Sequence, residues 1–373
     1  MAMQRIISGL KSPWAVGFSA FGVLYGGYNI IDMTQAGSKY ELEADLTGKT
    51  YVVTGATSGI GKETAEELAK RNARVIMACR NRQKCVSTRR DIVLSTKNRN
   101  VFCRQVDLEN FDSIKNFVEK INNGKYALDR IDGVINNAAV MKSTRTINKD
   151  GIESMLATNY LGTFLLNALL LPKLLEQNHP VRLVFLNTNL VNKLKNVDIE
   201  NFNSEPVEGK KFDGYEVYKT TKLAEAAFAL ELADRLKGSN VSVLLADPGR
   251  TATNLEKELS HNNFFLSRWL VNFTGFIMGR RKVQKAVRPV LYAVADEEVD
   301  GKTKIFIDRE RKEQTWSELL DDPKLREKLW LIAEKWTKYT ERALELNPNA
   351  VSTTVATTTT PVQSQGRKWF YFF

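Results

Sequence analysis

The chain has 373 residues, 43% hydrophobic and 26% charged, enough to bury a sizeable core as one large domain or two ordinary ones. A formal charge of +11 favours anionic partners such as phosphorylated cofactors, acidic lipid surfaces or nucleic acid. The basic residues are dispersed among acids, denser only near 80–90 and 280–288, without zinc-finger spacing or an aromatic RNA-binding signature, which speaks against nucleic acid. Cys79, Cys85 and Cys103, with His179 and His261, lack metal-ligand spacing, so no metal site is expected.

Residues 12–31, SPWAVGFSAFGVLYGGYNII, form an uncharged run of 20 residues flanked by Lys11 and Asp32. That length suits one bilayer-spanning helix, although its glycines and polar residues make it only moderately apolar. The alternatives are a cleaved secretory signal, for which no small-residue cleavage site follows, and a mitochondrial presequence, since Arg5 and Lys11 are basic and no acid precedes Asp32. The retained anchor is the preferred reading, with the endoplasmic reticulum as its membrane; the presequence reading points to a mitochondrial membrane. Residues 1–45 are therefore assigned to an anchor or targeting segment with its linker.

From Thr50 to about Asp308, short apolar runs (YVVT, ARVIMAC, VFCRQV, IDGVIN, RLVFLN, VSVLLA) alternate with longer helical stretches. Near-continuous apolar strands separated by helices predict an α/β fold, a single doubly wound domain with a parallel sheet of about seven strands covered on both faces. Leu319, Leu320, Leu325, Leu329, Trp330, Ile332 and Trp336 recur at helical spacing and predict a terminal helix closing over the core. The domain is drawn at 46–345. The Thr-rich segment 346–373 has too little apolar surface to pack and is read as disordered.

TGATSGIG at 54–61 lies between the strand YVV and the helix KETAEELAKR. Gly55 can make the tight turn, Gly59 lets the backbone approach a phosphate, and Gly61 allows close helix–strand packing. With Thr57, Ser58 and Ile60 they form a candidate dinucleotide-binding loop, because the helix N-terminus presents free N–H groups and partial positive charge to phosphates. A glycine-rich turn without a ligand is the alternative. The second strand ends at Arg80, not at an acid, 19 residues after Gly61. An acid there would select NAD through the ribose 2′-hydroxyl; a guanidinium can pair with a 2′-phosphate, so NADP(H) is expected. A solvated arginine at a strand end is the alternative.

These residues resemble the short-chain dehydrogenase/reductase family. TGATSGIG resembles its glycine signature, NNAA at 136–139 its NNAG, Tyr218-x-x-x-Lys222 its active-site pair and Asp247-Pro248-Gly249 its PG turn. Asp107 matches the family's adenine contact, and Asn159 the asparagine completing its tetrad. The resemblance covers roughly 45–340 and implies cofactor contacts at Asp107, Asn137, Tyr218, Lys222, Pro248, Gly249 and Thr251. Within the family, ACRNRQKC, NYLGTFLL and KTTKLAEAAFALELADRL look most like the retinol dehydrogenase branch, which implies NADP(H), an apolar N-terminal anchor and a lipophilic alcohol or aldehyde. A second copy of the chain is a further candidate partner.

YEVYKTTK at 215–222 contains Tyr-x-x-x-Lys twice, as Tyr215/Lys219 and Tyr218/Lys222. Tyr218 lies 30 residues ahead of Pro248, and only Lys222 enters the following helix in the family's register, so the second pair is chosen. Tyr215 is expected to precede the helix as a wall residue. Residues four apart share a helix face, so the ammonium can sit near the phenol. Lowering a phenol from ~10 by about 3 units needs about 4 kcal/mol. A cation ~4 Å away supplies roughly that at an effective dielectric of about 20. The resemblance then implies that Tyr218 exchanges the substrate proton, Lys222 holds the nicotinamide ribose and Asn159 positions a water.

Two positions depart from the family. Thr188, in RLVFLNTN, stands where the substrate-binding serine usually is; it keeps a hydroxyl but adds a stiffening methyl. Ala139 replaces the glycine of NNAG. A weakly active or inactive NADP-binding scaffold is therefore the rival to an oxidoreductase. The segment after Thr251 carries Phe265, Trp269, Phe273 and Ile277 at four-residue spacing, either packing on the domain or forming an apolar lid for a greasy substrate.

Overall fold

The computed structural model describes residues 40–249, 251 and 283–347, together with 22 and 25–27. The proposed lid, the Thr-rich tail beyond Asn347 and most of the 12–31 stretch lie outside the described residues, while Leu346, counted with the tail, ends a helix. Among the described residues, no helix is long and apolar enough to cross a membrane.

Strands β1 (Thr50–Thr54), β2 (Arg74–Cys79), β3 (Val101–Gln105), β4 (Gly133–Asn136), β5 (Val181–Leu186), β6 (Val241–Ala246), β7 (Ile305–Ile307) and β8 (Glu313–Gln314) form one sheet in the order β3-β2-β1-β4-β5-β6-β7-β8. Neighbouring strands are parallel from β3 to β7, and β8 adds an antiparallel edge of two residues. The expectation of a doubly wound sheet holds, with this short strand in addition. The main helices are α1 (Gly59–Lys70), α2 (Arg82–Thr96), α3 (Phe111–Asn122), α4 (Gly162–Leu175), α5 (Gly214–Arg235), α6 (Arg288–Ala295), α7 (Pro323–Thr337) and α8 (Tyr339–Leu346).

Strand residues alternate between two buried layers because successive side chains point to opposite faces. Val52, Val134, Leu183, Phe185, Val243 and Leu245 join a layer with Leu165, Phe228 and Trp330. Tyr51, Val53, Ile135, Val184 and Leu244 join Leu68, Ile92 and Val290 on the other face. Leu42 and Leu46 pack into the second layer. Of the residues read at helical spacing over 319–336, Leu325 to Trp336 fall in α7, with Leu329 and Trp330 fully buried and α8 following, whereas Leu319 and Leu320 lie in a separate 3₁₀ turn, Glu318–Asp321.

The chain reverses direction across the sheet between β1 and β4, the switch point at which a crevice opens above the strands' carboxyl ends. The turn after β1 and the NNAA segment after β4 therefore meet there. Two glycines fix how the helices approach this crevice. A Cβ on Gly162 would stand 2.2 Å from the Leu108 carbonyl oxygen, and one on Gly214 would stand 1.8 Å from that of Lys142. Glycine at 214 thus lets the first turn of α5 rest on the backbone just after NNAA.

Candidate active site

Gly55 and Gly59 have φ of +66° and +55°, in the left-handed region that glycine enters without strain. A Cβ on Gly61 would meet Asn137 Nδ2 at 2.3 Å and the Gly55 oxygen at 2.6 Å, so the turn closes only around glycine. Asn137, just after β4, anchors it: its Nδ2 donates to the Thr54 carbonyl at 2.8 Å, and its N–H to the Thr54 hydroxyl at 3.0 Å. Ser58 is the N-cap of α1 but its side chain makes no capping bond, and the first turn holds no acid. That leaves the helix N-terminus able to receive an anion. Thr57, Ser58 and Ile60 are half-buried beside it.

Arg80 follows β2 with its side chain 62% exposed, 3.9 Å from the Glu109 carboxylate. Asp107 follows β3 and is half-buried; its Oδ1 accepts from the Glu109 N–H at 3.1 Å. The glycine cradle, the uncapped helix end and an exposed guanidinium at the next strand's end fit the phosphates of a dinucleotide.

Helix α5 starts at Gly214, with Asp213 accepting from the N–H groups of Tyr215 and Glu216. Tyr215 is thus inside the first turn, not before the helix as its proximity to Asp213-Gly214 suggested. It is 38% exposed, and Lys219 lies over its ring at 5.1 Å while also pairing with Glu216. Tyr218 instead is 8% exposed and packs with Met141 and Met155, flanked by Val140, Phe212 and Val217. Its hydroxyl makes no hydrogen bond among the described residues. Lys222, 3% exposed, donates to the Leu186 carbonyl and to Glu225 Oε2, each at 2.7 Å.

This corrects the expected electrostatics. Burial, with Glu225 and Asp247 contributing, pushes the Tyr218 phenol up rather than down. The helical spacing does bring residues 218 and 222 to one face, but the lysine stem carries its ammonium to the end of β5 and to Glu225. Burial also pushes the Glu225 carboxyl up, to about 7, against the opposing pull of Lys222 and Asn187.

Asn159 sits in a π-helical turn, Leu156–Leu161, and is fully buried. Its Oδ1 accepts from the Val140 N–H at 2.8 Å, and its Nδ2 donates to the Val140 carbonyl at 2.9 Å and the Thr221 hydroxyl at 3.1 Å. These bonds tie the segment after NNAA to α5 and use both Nδ2 protons, leaving the amide oxygen one further lone pair. Thr188 is half-buried after β5, and its hydroxyl accepts from the Leu190 N–H at 3.3 Å, capping a short 3₁₀ turn. That bond is long, so the hydroxyl can still turn to a substrate oxygen.

Pro248 and Gly249 follow β6, and the Thr251 hydroxyl donates to the Gly249 carbonyl at 2.9 Å. Asp247, 4% exposed, accepts from the N–H of Gly249 at 2.7 Å and of Asn189 at 3.0 Å, joining the PG turn to the Thr188 segment. Sequence reasoning missed the structural roles of Asp247, Asn187 and Glu225. The available signals were an Asx residue opening a Pro-Gly turn and an acid three residues after the lysine. Asn187 Nδ2 donates to the Lys222 carbonyl at 2.8 Å and to Glu225 Oε2 at 3.0 Å, a contact between strand end and helix with no local pattern.

The sequence model of the short chain dehydrogenase family matches residues 49–191. Retinol dehydrogenase 13 of Mus musculus is 35% identical over 318 residues, spanning 84% of this chain and 90% of that protein. Retinol dehydrogenase 12 of Homo sapiens is 34% identical over 317 residues, spanning 84% and 94% respectively. Among solved structures, an uncharacterized protein from Mycobacterium paratuberculosis aligns with a TM-score of 0.61 at 27% identity, over 79% of this chain and 95% of that one. A short chain dehydrogenase from Shigella flexneri complexed with NADP aligns with a TM-score of 0.55 at 22% identity, over 72% and 99%, a likeness of fold.

Proposed function

The chain belongs to the short-chain dehydrogenase/reductase family, in its retinol dehydrogenase-like branch, and from that premise we propose that it is a membrane-associated NADP(H)-dependent oxidoreductase interconverting a lipophilic alcohol with its aldehyde or ketone. The observation that carries this reading is the Tyr218 hydroxyl, free of hydrogen bonds among the described residues, in a wall of Met141, Met155, Val140, Phe212 and Val217. An apolar wall with one uncommitted polar group suits a greasy substrate held by its oxygen.

A bound nicotinamide cofactor supplies the hydride chemistry. Tyr218 would donate its proton to the carbonyl oxygen during reduction and take the alcohol proton during oxidation. Thr188 would orient the same oxygen. Lys222 and Asn159 would hold α5 and the segment after NNAA in register beneath it, and Gly55–Gly61, Asp107, Asn137, Pro248, Gly249 and Thr251 would line the cofactor groove. A panel of lipophilic aldehydes and ketones run with NADPH tests the whole reading, and oxidation of NADPH no faster than background across it would reject the reading.

The exposed Arg80 guanidinium supports NADP(H) over NAD(H). A charge-assisted bond to a 2′-phosphate is worth about 1.5–3 kcal/mol. Arg80→Ala is therefore expected to lower the NADP-over-NAD preference in kcat/KM by about 10–100-fold, and an unchanged ratio would reject the assignment.

A second reading, an NADP-binding scaffold with little chemistry, is favoured by threonine standing at position 188 with its hydroxyl already accepting from the Leu190 N–H, although its own proton stays free for a substrate oxygen. Thr188→Ala separates the two. The enzyme reading expects kcat to fall by about 10²–10³, the cost of one preorganised donor, with Thr188→Ser retaining turnover. Equal background rates in wild type and both variants would favour the scaffold. The candidate membrane anchor at 12–31 is tested by protease protection combined with imaging of the full chain.

A further inference from the structure

The proton transfers above leave one buried charge unused. Glu225 is 0% exposed, and its Oε2 accepts from Lys222 Nζ at 2.7 Å and from Asn187 Nδ2 at 3.0 Å. Its Oε1 is buried with no hydrogen-bond partner among the described residues. A carboxylate with one oxygen unsolvated is costly to keep in the interior, so a neighbouring cation is strongly held. Lys222 uses two of its three protons on Glu225 and the Leu186 carbonyl, and neither bond goes to the phenol.

We propose that Glu225 is a positioning residue: it holds and neutralises the Lys222 ammonium, and so sets the pH at which Tyr218 exchanges its proton. The inference rests on the reading of Tyr218 as the proton-exchanging group. Glu225 meets Lys222 on its own helix and Asn187 from the end of β5, and Tyr218, on which its charge acts, lies two turns earlier on the helix. Asp247 at the end of β6 and Tyr215 act on the phenol in the same sense as Glu225, and Asp308 acts in turn on Asp247. Within this group Lys222 is the cation paired with Glu225, so the carboxylate decides how much of that charge the phenol feels.

Glu225→Gln keeps the size of the side chain and an oxygen for Asn187 while removing the opposing charge. Residues seven apart on a helix are separated by about 10 Å of rise. At that range an effective dielectric of about 20 makes one charge worth about one pKa unit, or about tenfold in phenolate at a given pH. The test is a pH titration of the protein labelled with ¹³Cζ-tyrosine, alone and with NADP⁺, the Tyr218 resonance being identified by its loss in Tyr218→Phe. Glu225→Gln is expected to move the Tyr218 midpoint about one unit toward acid. An unmoved midpoint, or one moved toward alkali, would overturn the proposal and leave Glu225 a packing residue.

If Glu225→Gln does not fold, Lys222→Met/Glu225→Met removes both charges and leaves no buried ion. The Tyr218 midpoint in that protein is expected within about half a unit of wild type, on the scale of the single-charge effect. A larger change would mean that the two charges do not cancel at the phenol and would equally overturn the proposal. Reduction of all-trans-retinal with NADPH separates the two levels. If Tyr218→Phe abolishes it while Glu225→Gln leaves the titration unmoved, this inference alone fails. Undiminished reduction by Tyr218→Phe instead rejects the proposed function, whatever Glu225 does.

Discussion

A Tyr218→Phe protein is expected to reduce a lipophilic aldehyde about 10²–10⁴ times more slowly than wild type while binding NADPH with similar affinity. The substitution leaves the ring packed against Met141 and Met155, so the wall keeps its shape. It removes a hydroxyl with no hydrogen-bond partner among the described residues, and therefore strands no buried donor or acceptor. The thermal midpoint should accordingly stay close to wild type, because the usual penalty for deleting one half of a buried hydrogen bond is absent. Single-turnover reduction with NADPH isolates the chemical step from binding and product release. A fluorescence titration with NADPH supplies the binding control. Undiminished single-turnover rates would reject Tyr218 as the proton donor, since general-acid catalysis cannot survive loss of its acid.

The strand runs and the glycine turn were legible because their signals are local. Alternation of buried faces along β1, β4, β5 and β6 follows from a period of two, and TGATSGIG sits where a strand must pass into a helix. Choosing between Tyr215 and Tyr218 needed register rather than composition. A helical stripe could not have decided it, because α5 is buried around most of its circumference from Tyr218 to Ala233. The direction of the Lys222 ammonium was not legible. Spacing of i and i+4 fixes where Cβ atoms lie, but a flexible four-carbon stem can carry its charge to either side. What directs it here is a carbonyl on β5, 36 residues away in sequence, and a carboxylate that reads as an ordinary helix residue until its burial is known. The contact of Gly214 with the Lys142 carbonyl was hidden for the same reason: it depends on two distant segments meeting.

Lys222→Met is expected to lower stability by about 3–5 kcal/mol at pH 8, the penalty for breaking a buried ion pair by removing one partner. The loss should depend on pH with a definite sign. Even beside Lys222, burial holds the Glu225 carboxyl up at about 7, above its value of 4.5 as a free side chain. Without the ammonium its folded-state value rises further, because the opposing attraction is gone. A carboxyl raised on folding favours the folded state in its protonated form. That contribution is full below about 4.5 and is lost as pH climbs through the raised folded-state value. The variant should therefore unfold at a urea concentration nearest to wild type at about pH 5 and furthest from it at about pH 8. Lys222→Met/Glu225→Met should recover most of the deficit at pH 8, since no carboxylate is then left unpaired in the core. A deficit independent of pH in the single variant, and equal in the double, would mean that the lysine stem's packing, not its charge, stabilises this end of β5.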